Sequence, residues 1–108
     1  MKCKNGVTTK FIKPEILFAL IIVDQVYREF IDQDGVTITC ATDGDHKGHQ
    51  HSLGYAVDIR TRDTNSSIQW EESKKDAVAD MIRSCLTSEY DVVVESTHIH
   101  IEFDIRKG

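Results

Sequence analysis

The chain's five histidines fall into two groups, His46, His49 and His51 in one stretch and His98 and His100 in another. The second group opens a run, His98-Ile-His-Ile-Glu-Phe-Asp-Ile105, that alternates polar and apolar residues throughout. As a strand, this run places His98, His100 and Glu102 on one face and Ile99, Ile101 and Phe103 on the other. Two imidazoles and a carboxylate in a row are costly if dry and unpaired. That face is therefore expected to line a wet cleft or to hold a metal.

A matching set comes from His51-Ser-Leu-Gly-Tyr-Ala-Val-Asp58. Asp58 is a carboxylate within a mostly apolar strand and needs a partner. It shares a strand face with Ala56, whose small side chain leaves the space beside the carboxylate open, while Val57 and Ile59 face the other way. Gly54 permits a tight entry into that strand, and His51 can reach the same point from the preceding loop. One His and one Asp from here, with one His from the last strand, make an N/N/O set. With water as fourth ligand, such a set is the open, catalytic type of zinc site. No cysteine lies near either cluster in sequence, which also speaks against a closed structural site. The plainer alternative is a hydrogen-bonded His–Asp pair without metal.

The elements that must position these residues follow from periodicity. Pro14 opens a helix, where its missing N–H costs nothing. Ile16, Leu17, Leu20, Ile21, Val23, Val26, Tyr27 and Phe30 keep a helical period, and the helix should end near 32–35. Residues 36–40 are β-branched and alternating and read as a strand. Residues 41–52 read as a polar loop, with Asp43 and Asp45 shaping the turn around Gly44 and His46 and His49 as loop histidines. Residues 55–60 form the second strand and 61–67 a loop. A second helix is expected over about 70–86, with Ala77, Val78, Met81, Ile82 and Cys85 inward. Trp70 at its start belongs to the core or to a cleft wall, and the charged run 71–76 reads as a solvated face with helical ion pairs. Residues 91–95 and 98–105 complete the strands. The order implies an α+β domain: a small antiparallel sheet with two main helices packed on one face and the histidine site on the other.

A chain of 108 residues fits one domain. Lys+Arg is 13 against Asp+Glu 18, a formal net charge of −5. An acidic chain without a basic run argues against nonspecific nucleic-acid binding and against docking on an anionic membrane. No repeat, low-complexity tract or membrane span is visible. Cys3, Cys40 and Cys85 are odd in number and lack CxxC spacing, so they read as reduced thiols, two of them small core residues. The apolar run 16–23 lacks a cleavage site, and the expectation is synthesis in the cytoplasm without a signal peptide.

The pair His51-xx-Gly54-x-Ala56-x-Asp58 and Glu95-xx-His98-x-His100, in this order and on strands, resembles the zinc peptidase family of D-alanyl-D-alanine carboxypeptidases and peptidoglycan L,D/D,D-endopeptidases (peptidase M15). That family shares its fold with the signalling domain of hedgehog proteins. The run Thr42-Asp43-Gly-Asp-His46 and the closing strand look most like the short versions encoded by bacteriophages and prophages. The resemblance covers the chain from the first helix to the last strand. It implies a Zn2+ site ligated by His51, Asp58 and His100, with His98 as the alternative third ligand. Glu95 would be the general base that takes a proton from water at the zinc, and His98 would stabilise the tetrahedral intermediate. His46, His49 and Asp43 would contact substrate or support the ligands. The implied function is hydrolysis of a peptide bond in peptidoglycan stem or cross-link peptides, by a monomer acting on the cell wall after lysis or virion delivery. Two positions depart from the family pattern. His49 stands where many members have Ser, and the strand before the first motif lacks the Arg that holds a substrate's terminal carboxylate, for which Arg28, Arg60 and Arg62 could substitute. These departures favour an endopeptidase over a carboxypeptidase. They also feed a second reading, a catalytically inactive zinc-binding module that binds a peptide or protein partner.

Overall fold

The computed structural model describes residues 1–10, 12–41 and 54–104. In chain order the elements are β1 (Lys2–Cys3), α1 (Pro14–Phe30), β2 (Thr37–Cys40), β3 (Ala56–Arg60), α2 (Glu72–Cys85), β4 (Tyr90–Val94) and β5 (His98–Phe103). The strands form one sheet in the order β1-β2-β3-β5-β4. The expected α+β class holds, but the sheet is mixed rather than antiparallel. The two-residue β1, too short to show a period in sequence, pairs parallel with β2, while the other pairs are antiparallel.

Alternation decides which face is core. Val57 and Ile59 of β3 and Ile99 and Ile101 of β5 are fully buried and cluster with Ile16, Leu20 and Val23 of α1 and Val78 and Ile82 of α2. Burying each of these side chains contributes about 1.5–3 kcal/mol. Both helices thus cover one face, as the pattern requires. The other set, Asp58 and Arg60 of β3 with His98, His100 and Glu102 of β5, is only partly buried and points away from that cluster.

Helix α1 begins at Pro14 as expected, but its apolar stripe is narrower than the sequence suggests: Leu17, Phe18, Ile21 and Phe30 are exposed. Helix α2 begins two residues later than expected. The Trp70 amide is held by the Thr61 carbonyl at 2.9 Å and Gln69 bridges Arg62, so both stay in extended backbone. Trp70 itself is buried in the core beside Tyr27. The inner face of α2 is Lys75, Val78, Ala79 and Ile82, and not the set that includes Ala77 and Cys85, both of which are exposed. The apolar stripe is completed by a lysine, which a purely hydrophobic reading passes over. None of the cysteines is a core residue: Cys3 and Cys85 are exposed and Cys40 is half-buried. Among the described residues, no helix is long and apolar enough to cross a membrane.

Candidate functional site

The site is built on the β3–β5 ladder. Asp58 pairs directly with His100, Arg60 with His98 and Ala56 with Glu102. Cross-strand partners share a face about 4.5–5.5 Å apart at Cβ, so the register alone brings together residues 42 positions apart in the chain. Gly54, with φ +84°, turns the chain into β3, and its carbonyl accepts the Lys13 amide at 3.0 Å, tying the entry of β3 to the start of α1. The turn between β4 and β5 is closed by the Glu95 amide donating to the His98 carbonyl at 2.8 Å.

The Asp58 carboxylate faces both strand histidines. Oδ1 lies 2.8 Å from His100 Nδ1, and Oδ2 lies 3.5 Å from His98 Nε2. The far nitrogen of His100, Nε2, lies 3.1 Å from Glu102 Oε1. His98 Nδ1 lies 3.2 Å from the Thr97 hydroxyl. His100 thus has a carboxylate at each end of its ring. The hydrogen bond to Asp58 is the main reason its pKa is raised above 6.5; burial works against that rise, and Glu102 reinforces it. Asp58 and His98 open onto a cleft of about 470 Å³, whose walls also include Cys40, Arg60, Arg62 and Lys4.

Of the sequence-predicted residues, Asp58, His98 and His100 come together. Glu95 is exposed at the turn; continuing the β4–β5 register by one residue sets it opposite His98. His51, His46, His49 and Asp43 lie outside the described residues. Among the described residues, no three His, Cys, Asp or Glu side chains form a metal-binding group. The described part brings Asp58 and His100 together as a converging pair of donor side chains.

Two residues, Cys40 and Lys75, escaped sequence reasoning. Cys40, remote from both clusters in sequence, is the β2 partner of Asp58 and lines the cleft. Pairing register puts it there, and no local pattern carries that register. Arg60 and Arg62, two of the arginines that the sequence offers in place of the absent carboxylate-holding Arg, line the cleft too. Lys75, 3% exposed, reaches from α2 to the β4–β5 turn, where its Nζ donates to the Ser96 carbonyl at 2.5 Å.

No family model, curated protein or solved structure matches the chain.

Proposed function

We propose that the chain is a zinc-dependent peptidase that cleaves a peptide bond in peptidoglycan stem or cross-link peptides, on the hedgehog/D-Ala-D-Ala peptidase pattern that its motifs resemble. The observation that carries this reading is the Asp58–His100 pair: cross-strand partners, Oδ1 and Nδ1 2.8 Å apart, with Glu102 on the far nitrogen. A metal-ligating histidine characteristically gives its other ring N–H to a carboxylate, which fixes the ring and raises its basicity. Glu102 is in position to accept that N–H. The donor set fits zinc: Asp58 and His100 would hold it, with His51 as the third protein ligand. His100 suits this role better than His98, whose nearer nitrogen stands 3.5 Å from Asp58.

Zinc bound there would supply Lewis acidity and a water whose pKa drops to about 7. The chain's own residues do the rest. Glu95, at the turn opposite His98, accepts a proton from the attacking water and returns it to the leaving amine. His98 donates a ring N–H to the oxyanion that develops on the scissile carbonyl, its own orientation held by Asp58 and Thr97. The enzyme would reach the cell wall after lysis or by virion delivery.

The test is zinc stoichiometry on the wild type, His51→Ala and Asp58→Asn, beside clearing of purified peptidoglycan with and without chelator. The proposal expects near one zinc per wild-type chain, lost in both variants, and chelator-sensitive clearing with released peptides. Glu95→Gln should keep its zinc and lose about 10²–10⁴ in rate. Zinc without clearing or released peptides identifies the inactive binding module instead. No zinc leaves the metal-free His–Asp pair and overturns both.

A further inference from the structure

Helix α1 is apolar on two faces. Ile16, Ala19, Leu20, Val23, Val26 and Tyr27 are buried in the core. Away from them, Leu17, Phe18 and Ile21 are between 50% and 60% exposed. At about 100° per residue, these three lie in one stripe that continues through Gln25, Arg28 and Glu29. Half of a large apolar side chain is about 100 Å², so with Met1, 45% exposed beside Ile21, the apolar patch is about 400 Å². A contiguous patch of that size often serves as a contact surface.

The same face carries a recess next to the projecting side chains. Its volume is about 350 Å³, and Met1, Ile21, Asp24, Gln25, Arg28 and Glu29 line it. The polar groups around it have partners within the chain. Arg28 Nε donates to Asp24 Oδ2, the Val36 amide to Asp24 Oδ1 and Gln25 Nε2 to Glu29 Oε1, each at 2.9 Å. An apolar side chain can therefore enter without leaving these groups unpaired. Phe18 is such a side chain, half exposed and about one turn before the recess. A projection and a recess offset along one helix are the two halves of a self-complementary contact.

We propose that the chain pairs with a second copy of itself through α1, the two helices running antiparallel about a two-fold axis near Ile21. Each Phe18 then lies over Asp24 and Gln25 of the second copy, in the recess, and the same contact is returned. The charges agree with this register. Lys13, just before α1, comes beside Glu29 near the end of the other helix, and the helix dipoles oppose. A parallel pair would set Glu29 against Glu29 and Lys13 against Lys13. The net charge of −5 disfavours an anionic membrane as the occupant. With the stems of Gln25, Arg28 and Glu29 added to the apolar patch, each copy buries about 600–700 Å², at the low end of specific interfaces. The expected dissociation constant is therefore about 1–100 μM. The helices cover one face of the sheet and the cleft beside Asp58 opens on the other, so pairing leaves both clefts free. This departs from the monomer that the family resemblance implies, and it does not depend on the peptidase reading.

The test is sedimentation velocity on the full chain, with reductant present, from about 1 to 500 μM, a range that brackets the expected constant. The mass should rise from that of one chain to that of two. Phe18→Glu should weaken the association about ten-fold or more, since it removes the apolar contact twice per dimer. Lys13→Glu and Glu29→Lys should each weaken it about three-fold or more, and K13E/E29K should restore it, as this register alone requires. Far-ultraviolet spectra check that the variants fold; if Phe18→Glu does not, Phe18→Ser carries the same expectation. A mass of one chain throughout, association indifferent to Phe18, or no restoration in K13E/E29K overturns the proposal. A monomer that floats with phosphatidylcholine vesicles only when Phe18 is intact identifies a membrane-docking face and overturns it as well.

Discussion

Replacing Lys75 by alanine tests how the β4–β5 turn is held against α2. The side chain is 4% exposed and sits in the buried stripe with Val78, Ala79 and Ile82, so its stem acts as core while its ammonium reaches the Ser96 carbonyl. The alanine variant loses three buried methylenes at about 0.8 kcal/mol each, about 2.4 kcal/mol in all. It also loses a charge-assisted hydrogen bond, which is worth about 1 kcal/mol here because exposed Ser96 can turn to water instead. The pair with Glu72 at 3.4 Å adds little, since Glu72 is 72% exposed. The sum is about 3 kcal/mol for Lys75→Ala and about 1 kcal/mol for Lys75→Met, which keeps most of the stem. Urea unfolding with unchanged m-values measures both. A methionine variant as unstable as the alanine variant would show that the ammonium, and not the stem, carries the interaction. An alanine variant within about 1 kcal/mol of wild type would refute the burial argument itself. On the proposed peptidase reading, in which Glu95 and His98 of this turn act, Lys75→Met should also lower the rate of peptide cleavage at unchanged zinc content.

In the chelated protein, the His100 ring should titrate above 6.5 by NMR, and Asp58→Asn should bring the midpoint down; a midpoint at or below 6.5 in the wild type contradicts the paired geometry. A folded pKa above the unfolded one means that His100 stabilises the metal-free chain fully below 6.5 and that this contribution is lost as pH rises through the folded value. Gly35→Ala should destabilise the fold by about 1–3 kcal/mol, because φ is +104° and the new Cβ would lie 2.5 Å from Asp24 Oδ1 and 2.7 Å from Arg28 Nη2. A thermal midpoint equal to wild type would show that the 31–36 connection can relax without cost.

The parts of the fold legible in sequence are those governed by short periods. The eight-residue alternation of 98–105 assigns faces to β5, whose described extent is His98–Phe103, and Val57, Asp58 and Ile59 do the same for β3. Two strands with opposite-facing apolar and polar sets have few ways to pair, so the meeting of Asp58 with His98 and His100 was readable before any coordinates. What depends on register between distant segments was not. Cys40 beside Asp58 is an outcome of β2–β3 pairing, which itself contains an irregularity between residues 38 and 40. β1 is two residues long and exposed, and it is recruited only because β2 offers a free edge. Lys75 shows a different limit. A charged residue is assigned to the solvated face by type, yet its methylenes fill core and only its nitrogen must find an acceptor.

The hydrogen bond between Asp58 and His100 and a metal held by the same atoms exclude one another, because Nδ1 cannot carry a proton and ligate at once. Lower pH therefore favours the hydrogen-bonded pair and weakens metal binding. Yet the pair is not what builds the fold. Val57, Ile59, Ile99 and Ile101 are buried on the opposite face of the same strands, against both helices. Small zinc domains with closed sites unfold when stripped because the metal stands in for a core. Here the core is independent of the site, so on the proposed zinc reading chelation should leave the far-ultraviolet spectrum unchanged and the unfolding cooperative. The lost stability should equal only the linkage term, about 2.7 kcal/mol at a free zinc concentration a hundred times Kd. Unfolding on chelation would mean that the site face, and not the helix-covered face, holds the sheet together.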